Sequence, residues 1–148
     1  MLYTYKKWQK NLLVMQIILS FLGLLDSLYL SYQKINNNEV ACSTFGGCNT
    51  VINSNYAYLI GIPLAYLGLI YYLTLLLVIF FVLINKKTLW LKLLTIITLS
   101  GFLMSGYFVY LQFFEIGSIC IFCMFSALVS TLLFITTQTL YWSIKKSG

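Results

Sequence analysis

Four long apolar runs divide the chain, at about Leu12 to Tyr32, Gly61 to Ile84, Trp90 to Phe114 and Ile119 to Trp142. A helix crosses the hydrocarbon core of a bilayer with roughly 20 apolar residues. The pattern therefore predicts an all-α integral membrane protein, a bundle of four transmembrane helices. The first run is too long, and lacks the small-residue cleavage site, to be a removed signal peptide, so it is read as a retained anchor. Pro63 is expected in the first turn of the second run, where its missing N–H costs nothing. The only long polar stretch, Gln33 to Tyr58, carries Asn36, Asn37, Asn38, Glu39, two cysteines and the Gly46-Gly47 pair. The spans use up so much of the 148 residues that positions 1–148 are read as a single transmembrane domain with no separate soluble catalytic unit.

Composition agrees, with 61% hydrophobic residues, 8% charged and no histidine, far from the soluble average. A net charge of +6 raises the question of nucleic acid, but the basic residues are all lysines grouped at span ends rather than along one face, and nucleic acid is excluded as a partner. Lys6, Lys7 and Lys10 precede the first span, Lys86, Lys87 and Lys92 lie between the second and third, and Lys145 and Lys146 follow the fourth. Cytoplasmic flanks accumulate such charge, so both termini are expected in the cytoplasm. Trp8, Trp90 and Trp142 sit beside the same clusters, as interfacial aromatic belts do. The expectation is a multi-pass protein of the cell membrane, in contact with lipid, whose cysteines face the extracytoplasmic, oxidising side.

The four cysteines fall in two pairs, and topology brings both to that side. Cys120-Ile-Phe-Cys123 opens the fourth run. With Ser118 as the expected N-cap, Cys120 lies in the first helical turn and Cys123 one turn deeper on the same face, where free N–H groups and the helix dipole stabilise a thiolate. Cys123 is the one nearer the apolar phase, with Phe122, Met124 and Phe125 as candidate walls of an apolar pocket fitting a quinone. Cys42 and Cys48 form a C-x5-C in the loop, able to close a disulfide on itself and to swing between an external thiol and the C-x-x-C. Two other readings stand beside this one. Both pairs are inert disulfides pinning loops of a non-enzymatic four-span scaffold, although a short C-x-x-C ring stabilises little. Alternatively four thiolates bind zinc, but C-x5-C is wider than the usual knuckle, and no metal is expected.

At these residues the chain resembles the vitamin K epoxide reductase family of quinone-linked membrane thiol oxidoreductases. The resemblance covers most of the chain. It rests on the order of the two pairs, on Ala-Cys-Ser-Thr-Phe-Gly-Gly-Cys-Asn-Thr-Val-Ile-Asn-Ser around Cys42 and Cys48, on Gly-Ile-Pro-Leu-Ala-Tyr-Leu-Gly from Gly61, and on Cys-Ile-Phe-Cys. The related disulfide-bond-forming family places its C-x-x-C in the first outer loop instead. The resemblance implies a four-helix bundle around a quinone of ubiquinone, menaquinone or vitamin K type, capped by a short helix from the first outer loop. It implies that Cys42 meets a thioredoxin-like extracytoplasmic partner, that Cys48 shuttles to Cys120, and that Cys123 adjoins the quinone; Ile52, Phe122 and Asp26 are expected as further contacts of that quinone. Ser54 matches a loop hydroxyl near the redox centre, or else is a turn or cap serine.

Two departures qualify the transfer. Many bacterial relatives carry a fused thioredoxin-like domain, which is absent after the fourth span here, so the redox partner is expected to be a separate protein. Ala127 stands where animal enzymes carry a tyrosine, and epoxide reduction is not expected. Asp26 is an ionisable group inside the first apolar run, a costly position that tends to be functional; it is read either as helping to protonate reduced quinone or as hydrogen-bonded to another span or reaching the interface. Glu115 is read as an interfacial loop charge. The chain is thus expected to be a quinone-dependent, disulfide-generating thiol oxidoreductase.

Overall fold

The computed structural model of the chain describes residues 4–42 and 47–147. Gly46 of the glycine pair lies outside the described residues. Four helices are long and apolar enough to cross a membrane: α1 (Lys7–Ile35), α3 (Leu64–Asn85), α4 (Thr88–Leu111) and α5 (Ile121–Ser147), with α2 (Cys48–Asn53) a short helix between the first two. The expected four-span bundle and its short loop helix are both present. Helix α1 outruns its apolar run at both ends because polar side chains cap it. The Lys6 N–H donates to Gln9 Oε1 at 2.8 Å and Asn36 Nδ2 donates to the Tyr32 carbonyl at 3.1 Å.

Two local expectations are corrected. Residues 61–63 are not helical: β1 (Tyr58–Leu59) and β2 (Ile62–Pro63) pair antiparallel, Tyr58 opposite Pro63 and Leu59 opposite Ile62. Ile60 and Gly61 form the turn with φ of 54° and 79°, the doubly positive geometry whose twist suits a two-residue hairpin. Pro63 therefore precedes α3 instead of lying in its first turn. Ser118 is not the cap of α5. Helix α4 runs on into one π turn, Gln112–Ile116, and Gly117 then reverses the chain at φ 65°. The helix opens only at Ile121, with the Met124 N–H donating to the Cys120 carbonyl at 3.0 Å, so Cys120 itself occupies the cap position.

Helix α1 packs on α3 and α5, and α4 packs on the same two, which closes an antiparallel bundle. At the end remote from the cysteines, Tyr5 Oη donates to the Val82 carbonyl at 2.8 Å and Gln9 Nε2 to Ser143 Oγ at 2.7 Å. Between them a buried apolar core runs through Leu13, Leu75, Ile79, Leu94, Leu133 and Leu140. Buried amides and hydroxyls hold α1 to α5, as where Gln16 Nε2 donates to Thr137 Oγ1 at 3.0 Å. Lipid tails give helices no hydrophobic reason to associate, so close packing and such bonds do that work. The large apolar side chains left exposed, among them Ile18, Leu77, Leu103 and Leu128, form the surface that meets lipid.

Packing is close where Gly23 of α1 receives the ring of Tyr72 from α3; a Cβ at Gly23 overlaps that ring. Tyr72 has nowhere to go, being 1% exposed and hydrogen-bonded through Oη to Ser126 Oγ at 2.8 Å. Gly23→Val is expected to destabilise the bundle by about 1–3 kcal/mol, the usual cost of overpacking, in reversible unfolding followed in detergent micelles. Wild-type stability in that variant would contradict the packing described.

Candidate redox site

The two cysteine pairs meet at the other end of the bundle. Cys42 and Cys48 are joined as a disulfide with Cα atoms 6.1 Å apart, whereas Cys120 and Cys123 are free thiols. Cys48 and Cys120 are both wholly buried, in one apolar cluster with Leu30, Val40 and Val51, and Cys42, Cys123 and Phe122 pack against it. The sequence brings them together by backbone contact. A Cβ at Gly47 would lie 2.7 Å from the Ile119 carbonyl oxygen and 2.9 Å from its nitrogen, so only glycine admits the segment preceding Cys120 this close to the one preceding Cys48.

Several bonds hold the loop over the bundle. Asn49 Oδ1 accepts the Val40 N–H at 2.9 Å, pinning the segment that leads to Cys42 onto α2. Lys34, at the end of α1, donates to Asn53 Oδ1 at 2.9 Å and to the Ile52 carbonyl at 3.4 Å, and lies 5.0 Å from the ring centroid of Tyr58. The loop helix is thereby fixed to both α1 and the hairpin.

At the start of α5 the C-x-x-C takes the positions of a capping box. Cys120 Sγ accepts the Cys123 N–H at 3.4 Å, as a cap serine would. The reciprocal acceptor for the cap residue's own N–H comes from a different helix: Gln112 Oε1 takes the Cys120 N–H at 2.9 Å. Cys120 lies just ahead of the last membrane span. Hydrogen bonding from the Cys123 side chain, joined by the backbone of Cys123 and Phe122, outweighs burial and holds its thiol below the ordinary range. That favours the nucleophilic, good-leaving thiolate.

Beneath the loop helix a cavity of about 290 Å³ opens between α1, α3, α4 and α5. Of the residues expected to meet a quinone, Cys123, Ile52 and Asp26 line it, and so does Ser54. Phe122 does not; its ring packs against Tyr29 with centroids 5.1 Å apart, and Met124 and Phe125 are likewise absent from the wall. One turn separates Cys123 from Ala127, which lines the cavity without a tyrosine hydroxyl. Ser54 Oγ donates to the Val51 carbonyl at 2.7 Å, the cap geometry, while facing the cavity. Asp26 is 8% exposed, and its Oδ2 has no hydrogen-bond partner among the described residues; Tyr71 Oη, also in the wall, is equally unpartnered.

Gln112, Gly47 and Tyr71 escaped the sequence reading. Gln112 left one signal, a lone amide near the end of an apolar run beside the C-x-x-C. Gly47 stands in the sequence as one of a glycine pair, and nothing there indicates that its role is to admit a neighbouring backbone. Nothing in the residue pattern marks Tyr71.

Comparison with known proteins fits this geometry. The model of the vitamin K epoxide reductase family matches residues 14–138. A curated protein named thiol-disulfide oxidoreductase LTO1, from Arabidopsis thaliana, is 40% identical over 50 residues, a stretch that takes in 33% of this chain and 13% of that protein. The chain thus corresponds to well under two thirds of that relative's length. Because the family match reaches from the first span into the last and includes both cysteine pairs, the chain belongs to the vitamin K epoxide reductase family.

Proposed function

We propose that the protein is a membrane disulfide-generating oxidoreductase that takes electrons from a thioredoxin-like partner through Cys42 and Cys48 to Cys120 and Cys123, and on to a quinone. One observation carries this reading: Cys48 and Cys120, both without exposed surface, share one apolar cluster, and Cys123 next to them lines the cavity. The cavity suits a quinone, a flat apolar body with polar carbonyl ends. Its wall is largely apolar, yet holds the buried, unpartnered Asp26 Oδ2 and Tyr71 Oη. A bound quinone supplies the oxidant, accepting two electrons and two protons as the Cys120 and Cys123 thiols close to a disulfide.

The remaining steps are thiol–disulfide exchanges within the chain and with its partner. A partner thiolate attacks the loop disulfide at Cys42, which alone of that pair has exposed surface, and Cys48 leaves. The partner's second thiol resolves the mixed disulfide, so the partner is oxidised and the loop pair reduced. Cys48 then attacks Cys120 of the oxidised C-x-x-C, releasing Cys123. Cys42 attacks Cys48 in turn, restoring the loop disulfide and leaving Cys120 and Cys123 as thiols. A closed loop disulfide above two free thiols is the state reached at the end of that exchange. A scaffold with two structural disulfides gives no reason for free thiols at Cys120 and Cys123.

The direct test is quinone-dependent oxidation of thiols by purified protein. Cys120→Ala and Cys123→Ala are expected to lose turnover with every donor. Cys42→Ala and Cys48→Ala are expected to lose it with a reduced thioredoxin-like protein but to keep a measurable fraction with a small dithiol, which reaches Cys123 through the cavity. Equal loss in all four variants with both donors would contradict the shuttle.

Sidedness has its own test, with the lysine-rich ends assigned to the cytoplasm. After mild reduction of intact cells, a membrane-impermeant maleimide is expected to label Cys42 and to leave buried Cys48 unlabelled. Labelling of Cys42 only after permeabilisation would reverse the orientation. Gly47→Val is expected to slow the exchange between the loop pair and the C-x-x-C at least about tenfold in single-turnover mixing, because its side chain forces the two backbones apart. An unchanged rate would remove Gly47 from the mechanism.

A further inference from the structure

Gln112 touches both the thiol relay and the cavity. It is 2% exposed, and a buried primary amide needs partners for an acceptor and two donors. Its Oε1 is accounted for by the Cys120 N–H at 2.9 Å. Its Nε2 has no hydrogen-bond partner among the described residues, and the side chain lines the cavity. The backbone makes this placement possible. Gln112 begins the π turn that ends α4, and such one-turn expansions concentrate at functional sites. Gly117 then turns the chain so that Cys120 returns to the Gln112 side chain.

We propose that Gln112 is a positioning residue with two faces: its Oε1 holds Cys120 at the head of α5 while its Nε2 donates a hydrogen bond to a carbonyl oxygen of a quinone in the cavity. This rests on the quinone reading above. Carbonyl oxygens gain negative charge during reduction, and a neutral N–H fixed in a largely apolar cavity stabilises that charge. Tyr71 Oη and Asp26 Oδ2 also face the cavity unpartnered, but neither has a hydrogen bond to the C-x-x-C. Through Gln112, the same side chain that aligns the acceptor sets the helix start that aligns the donor sulfur.

The probes are decylubiquinone and iodoacetamide, and the variant is Gln112→Met, which keeps length and flexibility but loses both polar atoms. Binding of decylubiquinone to the oxidised protein is expected to weaken about 3- to 10-fold, the worth of one net hydrogen bond. In a Cys42→Ser, Cys48→Ser, Cys123→Ser background, the pH midpoint for alkylation of Cys120 is expected to rise by about 0.5 units or more, as the amides that stabilise its thiolate lose their alignment. A shift in the midpoint with unchanged quinone binding makes Gln112 a cap and nothing more; weaker binding with an unchanged midpoint makes it a ligand contact alone. Either result overturns the proposal. Should the variant fail to fold, the unaltered protein labelled with 15N-glutamine decides: the Gln112 side-chain resonance is expected to move when decylubiquinone is titrated in, and a static resonance during demonstrated binding overturns the assignment. If the unaltered protein neither binds nor reduces decylubiquinone, the quinone reading itself fails and this inference falls with it.

Discussion

The first turn of α5 depends on hydrogen bonds that ordinary helices make with serine and glutamate, and here they are made with sulfur and an amide from the end of the preceding helix. Cys120 Sγ accepts the Cys123 N–H, and Gln112 accepts the Cys120 N–H across the turn. A C-x-x-C has the spacing of a capping box, so the residues that cap the helix are the residues we propose to carry the redox chemistry. Oxidation to a disulfide joins the cap sulfur to the third helical residue, and reduction returns it to hydrogen bonding. Hydrogen bonding from the Cys123 side chain, joined by nearby backbone, holds the Cys120 thiol below the ordinary range against the opposing effect of burial.

The bilayer imposes the remaining architecture. With no water to satisfy backbone groups, spans must be helical, and with no hydrophobic drive between them they associate through small residues and polar bonds. Gly23 against Tyr72 and Gln16 against Thr137 meet that requirement. The loop between α1 and α3 is then free to be irregular only where protein covers it, and it covers the cavity in return. Lys34, Asn49 and the Tyr58–Pro63 hairpin fix α2 in place. The outcome is a pair of cysteines shielded from solvent on one side and an apolar chamber on the other, with Cys123 between them.

Much of this was legible in the sequence, for physical reasons that also explain what was not. Spans are readable because hydrocarbon thickness sets their length, and the order of the cysteine pairs is readable because it needs no geometry. Span ends were less so. Lys7 and Lys10 are helical because a helix continues through the headgroup region, and residues 61–63, part of the hairpin, are apolar enough to pass for the start of a span. The cap of α5 was assigned to Ser118 because serine is the better cap in isolation; Gly117 and the π turn shift the start to Cys120. Phe122 was expected in the cavity, but the phase of α5 turns it to Tyr29. Gln112 acts across a turn of irregular geometry on Cys120, and Gly47 acts through contact with the distant backbone of Ile119; helical periodicity reports neither pair.

The central claim is that the buried contact between the loop and the head of α5 is the route of exchange. The most direct measurement is to remove from each pair the thiol that does not take part in the exchange, with Cys42→Ser and Cys123→Ser in one protein, oxidise it gently and map disulfides by mass spectrometry of unreduced peptides. The account predicts one intramolecular bond, Cys48 to Cys120, formed in high yield. Failure of that bond to form, together with a Cys42 to Cys120 bond in the counterpart Cys48→Ser, Cys123→Ser protein, would contradict it.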